Sequence, residues 1–249
     1  VGVSFFRFLK DLFHLLPGKP KADWTELRSL LHRRPTVVLV PGFGANHRTL
    51  SIIRKRLLKD GFNVLILPFD WQTLSECKRG LYQLAERLDS VIFQLKSAMD
   101  NPRVFLVAHS TGGLVARYYV QHLGGAAHCE GLITLATPHR GTWIALLGFV
   151  SHLLLTPRCL WQMLPFSNFL KILNRSSFPT GFRMVSIYSN DDLLCSPRST
   201  RLPPILNDKA SIQSVELNSL SHSDFLLRKE TYQVMVNHLR TFSVTKKSA

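Results

Sequence analysis

Short runs of aliphatic and β-branched residues recur along this chain, most of them followed by a segment of helical periodicity. This alternation limits the fold more than any other feature. The runs are Thr36–Val40, Val64–Leu67, Val104–Val107, Leu132–Leu135, Met184–Tyr188 and Ser214–Leu217. Each is too short for a helix, and the first five are too uniformly apolar for a strand with one wet face. Between and after them, Leu50–Lys59, Ser75–Met99, Leu114–His122 and Glu230–Phe242 carry helical spacing. Strands of this kind, separated by helices, build a mostly parallel sheet covered on both faces. Ligands of such sheets sit at the carboxyl ends of the strands.

A length of 249 residues suits one such domain. Residues 1–21 read as an N-terminal amphipathic helix and linker, and 22–249 as the sheet domain. In the first segment Phe5, Phe6, Leu9, Leu12, Phe13 and Leu16 fall at helical spacing, interrupted by Arg7, Lys10 and Asp11, up to Pro17-Gly18. That helix is too short and too charged to span a bilayer. It suits either a membrane interface or the domain's own core.

One stretch breaks the alternation. From Trp143 to Leu173 the chain is strongly apolar, and Pro157 and Pro165 cut it into short pieces. It reads as an inserted helical cap spanning about 143–175, with Trp143, Leu146 and Leu147 as candidate substrate-binding residues. Such a cap is either a lid over a site or a helical layer packed on the sheet.

Charge and cysteine content narrow the partners. Thirty-one Lys and Arg against 16 Asp and Glu give a formal charge of +15. Such a balance favours anionic surfaces or plain solubility. Nucleic acid is not expected, because no nucleic-acid-binding motif is present. An anionic membrane or lipid surface is the partner that the charge fits. The four cysteines, Cys77, Cys129, Cys159 and Cys195, match neither a redox pair nor a zinc motif. Free buried thiols are the default, with one bridge open to an oxidising compartment.

The chemistry is carried by Ala108-His109-Ser110-Thr111-Gly112-Gly113, which lies between the third strand and its helix. It is a variant of the G-x-S-x-G turn, with Ala in the first place. A nucleophile in so tight a turn needs small residues two before and two after it, and Ala108 and Gly112 qualify. The turn lifts the Ser110 hydroxyl to a helix N-terminus, where free N–H groups favour negative charge. Upstream, Val40-Pro41-Gly42-Phe43-Gly44 ends the first strand in a Gly-rich turn. The Phe43 and Thr111 N–H groups are then candidates for an oxyanion hole.

These residues resemble the α/β-hydrolase lipases and esterases, especially the bacterial triacylglycerol lipase type. The resemblance rests on Leu39–Gly44, on Val107–Gly113, on Leu135–Thr142, on Tyr188–Leu194 with Pro197, and on Ser221–Leu226. It implies an α/β-hydrolase fold, a bacterial source and a triad in the order Ser, acid, His. Asp192 matches the family's acid position, with adjacent Asp191 as the alternative. His222 matches the base. His109 is expected to point away from the site as a packing residue, and His139 to belong to the site wall. Where this chain has Pro41, those lipases usually have His. Some of them bind calcium through an Asp shortly after the base, where Asp224 stands. No Asp or Glu occurs between Arg140 and Met184 to add a second carboxylate, so no metal and no cofactor is expected.

The function that follows is hydrolysis of carboxylic esters through an acyl-enzyme on Ser110, with an acyl ester as substrate and the chain acting as a monomer. Two other readings stand beside it: a lipid acyltransferase using the same triad, and a non-catalytic binding protein on a hydrolase scaffold. Membrane-associated, secreted and periplasmic locations are all compatible with the sequence.

Overall fold

The computed structural model describes residues 34–43, 45, 47–67, 80–99, 102–145, 158–202 and 210–244. The N-terminal amphipathic helix, Cys77, Leu146 and Leu147 lie outside them. Six strands form one sheet: β1 (Thr36–Val40), β2 (Asn63–Ile66), β3 (Val104–His109), β4 (Gly131–Leu135), β5 (Arg183–Tyr188) and β6 (Ser211–Glu216). Their order is β2-β1-β3-β4-β5-β6, and every pairing is parallel.

Eight helices are described: α1 (His47–Lys59), α2 (Leu81–Ala98), α3 (Thr111–His122), α4 (Arg158–Gln162), α5 (Asn168–Arg175), α6 (Pro197–Thr200), α7 (Asp224–Leu227) and α8 (Lys229–Val244). Parallel neighbours need crossovers, and helices supply them.

The near-continuous apolar strands follow from burial on both faces. Val38, Val40, Leu106, Ala108, Leu132 and Met184 point into one core with α2 and α3. The alternate residues Val37, Leu39, Phe105, Val107, Ile133, Leu135, Val185 and Ile187 point into the other, with α1, α7 and α8. The helices answer with stripes at i, i+3, i+4 and i+7 spacing. On α2 the stripe is Leu81, Leu84, Ala85, Leu88, Val91, Ile92 and Leu95. Helix α1 stops at Gly61, whose φ of +87° suits glycine. There the Phe62 N–H donates to the Leu57 carbonyl at 3.0 Å and the Gly61 N–H to the Leu58 carbonyl at 3.2 Å. Those two bonds form a Schellman stop, which the Asp60-Gly61 pair signals in the sequence.

Differences from the sequence reading have local causes. β6 starts at Ser211 rather than Ser214 and is largely exposed. It is an edge strand, so its outer positions are polar and the apolar signal thins. Helix α3 starts at Thr111 rather than Leu114, directly after the serine, because Gly112 and Gly113 hide the periodicity of its first turn. Cys159 is disulfide-bonded, which corrects the default of free thiols at that position, whereas Cys129 and Cys195 are free and buried.

The described part of the apolar insert comprises α4 and α5, packed on α2 and α3. Ser167 caps α5 by accepting the Leu170 N–H at 3.2 Å. The Gln162 side chain accepts the first N–H of α2, on Leu81, at 2.6 Å. No helix among the described residues is long and apolar enough to cross a membrane.

Phe105 is fully buried in the centre of the sheet. We expect Phe105→Ala to cost about 3–5 kcal/mol by lost burial and cavity formation. Urea unfolding of the two proteins checks this, and a loss below about 1 kcal/mol would contradict the packing described.

Candidate active site

The sheet brings the Gly-rich turn and the serine turn together. Strands β1 and β3 are neighbours, and Val40 pairs with Ala108 in register. Both strands therefore end at the same level. The chain leaves β1 toward β2 and leaves β3 toward β4, so a crevice opens between their ends.

Ser110 occupies that crevice with φ 53° and ψ −128°. Positive φ is costly for a residue with a Cβ, on the order of 1–3 kcal/mol. The surroundings hold it there. The Ser110 N–H donates to the Leu135 carbonyl at 2.9 Å, and its carbonyl accepts the Gly113 N–H at 2.9 Å. A Cβ on Gly42 would lie 2.7 Å from the Ser110 Cβ, and one on Gly112 would lie 2.5 Å from the Pro41 carbonyl oxygen. The two turns are thus packed backbone to backbone, which only glycine permits. Thr111 opens α3, so its N–H belongs to the first turn, which has no acceptor within the helix. Its hydroxyl donates to the Met163 sulfur at 2.9 Å, linking the turn to the residue after α4. Phe43 is half-buried against the α2 and α3 core.

Asp192 and His222 meet across two loops. Asp192 Oδ2 lies 2.8 Å from His222 Nδ1. A carboxylate accepts, so Nδ1 carries the proton and Nε2 is left as the basic nitrogen. Asp192 is held in turn, because its Oδ1 accepts the Leu194 and Cys195 N–H groups, each at 2.9 Å. Asp191, the alternative acid, does something else: its Oδ2 accepts the Ser219 N–H at 2.7 Å. Ser189 Oγ accepts from the Asp191 and Leu220 N–H groups at 3.2 and 3.3 Å. Both residues therefore pin the His222 loop. Asp224 fixes its other side by accepting the Ser221 N–H at 3.0 Å and hydroxyl at 2.8 Å. Its other oxygen lies 3.5 Å from Arg228 Nε.

Three buried histidines surround the serine turn, and their neighbours divide them. Burial, followed by the proximity of His222, pushes His109 down to about 3. Burial and then the Arg117 guanidinium hold His139 well below its usual range. His222 alone among them faces a carboxylate. Burial disfavours its charge, but Asp192 and the adjacent Cys195 outweigh that and raise it well above 6.5. Arg117 donates to His139 Nδ1 at 3.3 Å, which leaves the Nε2 proton of His139 for Thr134 or Ser186 at 3.1 and 3.2 Å. The His139 ring is thus built into the wall.

His109 corrects the sequence reading. It is buried as expected, yet it does not point away from the site. Its Nε2 lies 3.2 Å from the His222 main-chain oxygen, and the two rings are 4.7 Å apart. The sequence reading also missed Cys195. Burial pushes its thiol up, and its side chain reaches both His222 and Ser110. No local signal marks it, because Ser110 and His222 come to it from distant parts of the chain. Trp143 is 60% exposed, with its ring 5.6 Å from that of Phe166.

A parallel sheet with a strained serine turn after β3 and a buried Asp–His pair on the loops after β5 and β6 defines an α/β-hydrolase. The chain belongs to the family described as "Putative serine esterase (DUF676)", which matches residues 33–164, more than half of its length. That match contains the Gly-rich turn and Ser110 and ends before Asp192 and His222. No curated protein matches the sequence. In structure the chain is similar to the mature Bacillus licheniformis lipase, at 14% identity and a TM-score of 0.65, over 90% of this chain and 96% of that one. It is similar to the Paleococcus ferrophilus monoacylglycerol lipase at 16% identity and 0.59, over 84% and 96%. A third likeness, at 16% and 0.58 over 86% and 81%, is to a membrane phospholipase A described as a bacterial virulence factor.

The charge assignments are checked by NMR titration of the imidazoles. The His222 resonances should titrate above pH 6.5, with His109 remaining neutral down to about 3. Asp192→Asn should move His222 downward, since the raising charge is gone. A His222 midpoint below 6.5 in the wild type would contradict the pairing.

Proposed function

We propose that this chain hydrolyses carboxylic esters through an acyl-enzyme on Ser110. The observation that carries the reading is the strained, glycine-packed Ser110 turn, served by a base whose tautomer is fixed by a carboxylate at 2.8 Å. His222 Nε2 takes the Ser110 proton as the oxygen attacks the ester carbonyl. Phe43 and Thr111 N–H groups hold the developing oxyanion. His222 returns the proton to the leaving alcohol, and water then releases the acid by the same route in reverse. Asp192 stabilises the imidazolium formed in each step.

The substrate class we favour is a lipid-like acyl ester. Trp143, Phe166 and Leu193 are large apolar residues left exposed, and Leu193 adjoins Asp192 on the same loop. Exposed apolar groups beside a site suit acyl chains and a lipid surface. The formal charge of +15 suits an anionic one. The structural likenesses to a monoacylglycerol lipase and a phospholipase A are compatible with that class.

The test is hydrolysis of p-nitrophenyl esters from acetate to palmitate, with and without anionic vesicles. We expect Ser110→Ala to lower kcat by about 10⁴-fold or more with the fold retained, and Asp192→Asn by about 10³–10⁴-fold. Medium or long chains should be preferred over acetate. Ser110→Ala within tenfold of wild type would refute the mechanism.

A further inference from the structure

Ester hydrolysis leaves the Cys195 side chain without a task. Its backbone N–H is committed to Asp192, but its thiol is free and reaches Ser110 and His222. One ligand atom each from Asp192, Cys195 and His222 lies within 4.8 Å of the others, and all three residues are buried. No other cluster of this kind occurs among the described residues.

The donor set is chemically selective. A sulfur, an imidazole nitrogen and one carboxylate oxygen are ligands of a borderline-soft ion, and Zn²⁺ takes this mixture in tetrahedral sites. Calcium and magnesium want several oxygens, and a thiol offers them nothing. Around tetrahedral Zn²⁺, with bonds of about 2.0–2.3 Å, ligand atoms lie roughly 3.3–3.8 Å apart. From separations of up to 4.8 Å the groups need to close by about 1.0–1.5 Å at most, and Asp192 Oδ2 and His222 Nδ1, now 2.8 Å apart, need to part by about 0.5 Å, which side-chain rotation supplies. Ser110, beside Cys195, or a water leaves a fourth ligand within reach.

We propose that Asp192, Cys195 and His222 form an inhibitory Zn²⁺ site built onto the hydrolytic machinery. On binding, the Cys195 thiol loses its proton to solvent and the thiolate ligates the ion, while the Asp192–His222 hydrogen bond opens and the ring proton moves from Nδ1 to Nε2, freeing Nδ1 and the carboxylate to ligate. No bond is formed to substrate and nothing is oxidised. His222, once ligated, no longer accepts the Ser110 proton, so turnover stops until the metal is removed. That inhibition rests on His222 being the base of the proposed hydrolysis, whereas the binding itself does not.

Two readouts on the full chain separate these claims. Co²⁺ replaces Zn²⁺ in such sites and reports sulfur ligation by a thiolate-to-metal absorption band, with no ester present. We expect one Co²⁺ per chain with that band, displaced by Zn²⁺. The band should be lost in Cys195→Ala and in Cys195→Ser, each checked for wild-type circular dichroism. In parallel, Zn²⁺ should abolish p-nitrophenyl ester hydrolysis, EDTA should restore it, and each variant should need at least tenfold more Zn²⁺ relative to its own uninhibited rate. Absence of the band, a band that survives both substitutions, or equal Zn²⁺ sensitivity of wild type and variants overturns the site. A chain that gives the Cys195-dependent band yet hydrolyses no ester supports the site while refuting the hydrolase reading.

Discussion

Everything at this site depends on two backbone turns being allowed to touch. Strands β1 and β3 end level with each other, so the turns that follow them compete for one space. Gly42 and Gly112 resolve the competition by having no Cβ. A side chain at either position would push the Gly-rich turn off Ser110. The positive φ of Ser110 is then sustained by its hydrogen bonds to Leu135 and Gly113, and the cost of that conformation is carried by the stability of the sheet. The serine is held in place by β1, β3 and β4 together, so its geometry is a property of the sheet and not of a flexible loop.

The same economy governs the charges. Burying three histidines in one region invites misplaced protons, and the structure gives a carboxylate only to His222. His109 and His139 are left to burial, which keeps them neutral. Around the His222 loop, Asp191 and Asp224 act as hydrogen-bond acceptors for main-chain N–H groups. The loop is thereby fixed on both sides of the imidazole. Arg117 extends the network outward. It is fully buried and donates to His139, Asn174 and the Leu173 carbonyl. One guanidinium thus joins the helix behind Ser110 to the wall and to α5.

Much of this was legible in the sequence because its signals are local. The strands announce themselves by uniform apolarity, since both faces are buried. The serine turn shows through Ala108 and Gly112, whose small size is a steric requirement rather than a preference. Asp192 and His222 were reached through resemblance, because nothing local marks a residue that acts across thirty positions. What was missed is tertiary. Its place beside the nucleophile in the turn suggests that His109 points away, but its ring reaches the His222 main chain. Cys195 has no pattern partner in the sequence, because Ser110 and His222 come to it from two other loops. The start of β6 was lost because an edge strand does not carry the apolar code.

The central claim is that Ser110 is the activated nucleophile. A fluorophosphonate probe reports this directly, because it phosphonylates a serine only where a base has made the hydroxyl nucleophilic. Intact-mass and peptide analysis should show one adduct per chain, on the peptide containing Ser110, absent in Ser110→Ala and strongly slowed in His222→Ala. An adduct that persists in Ser110→Ala, or no adduct in the folded wild-type protein, would contradict the account.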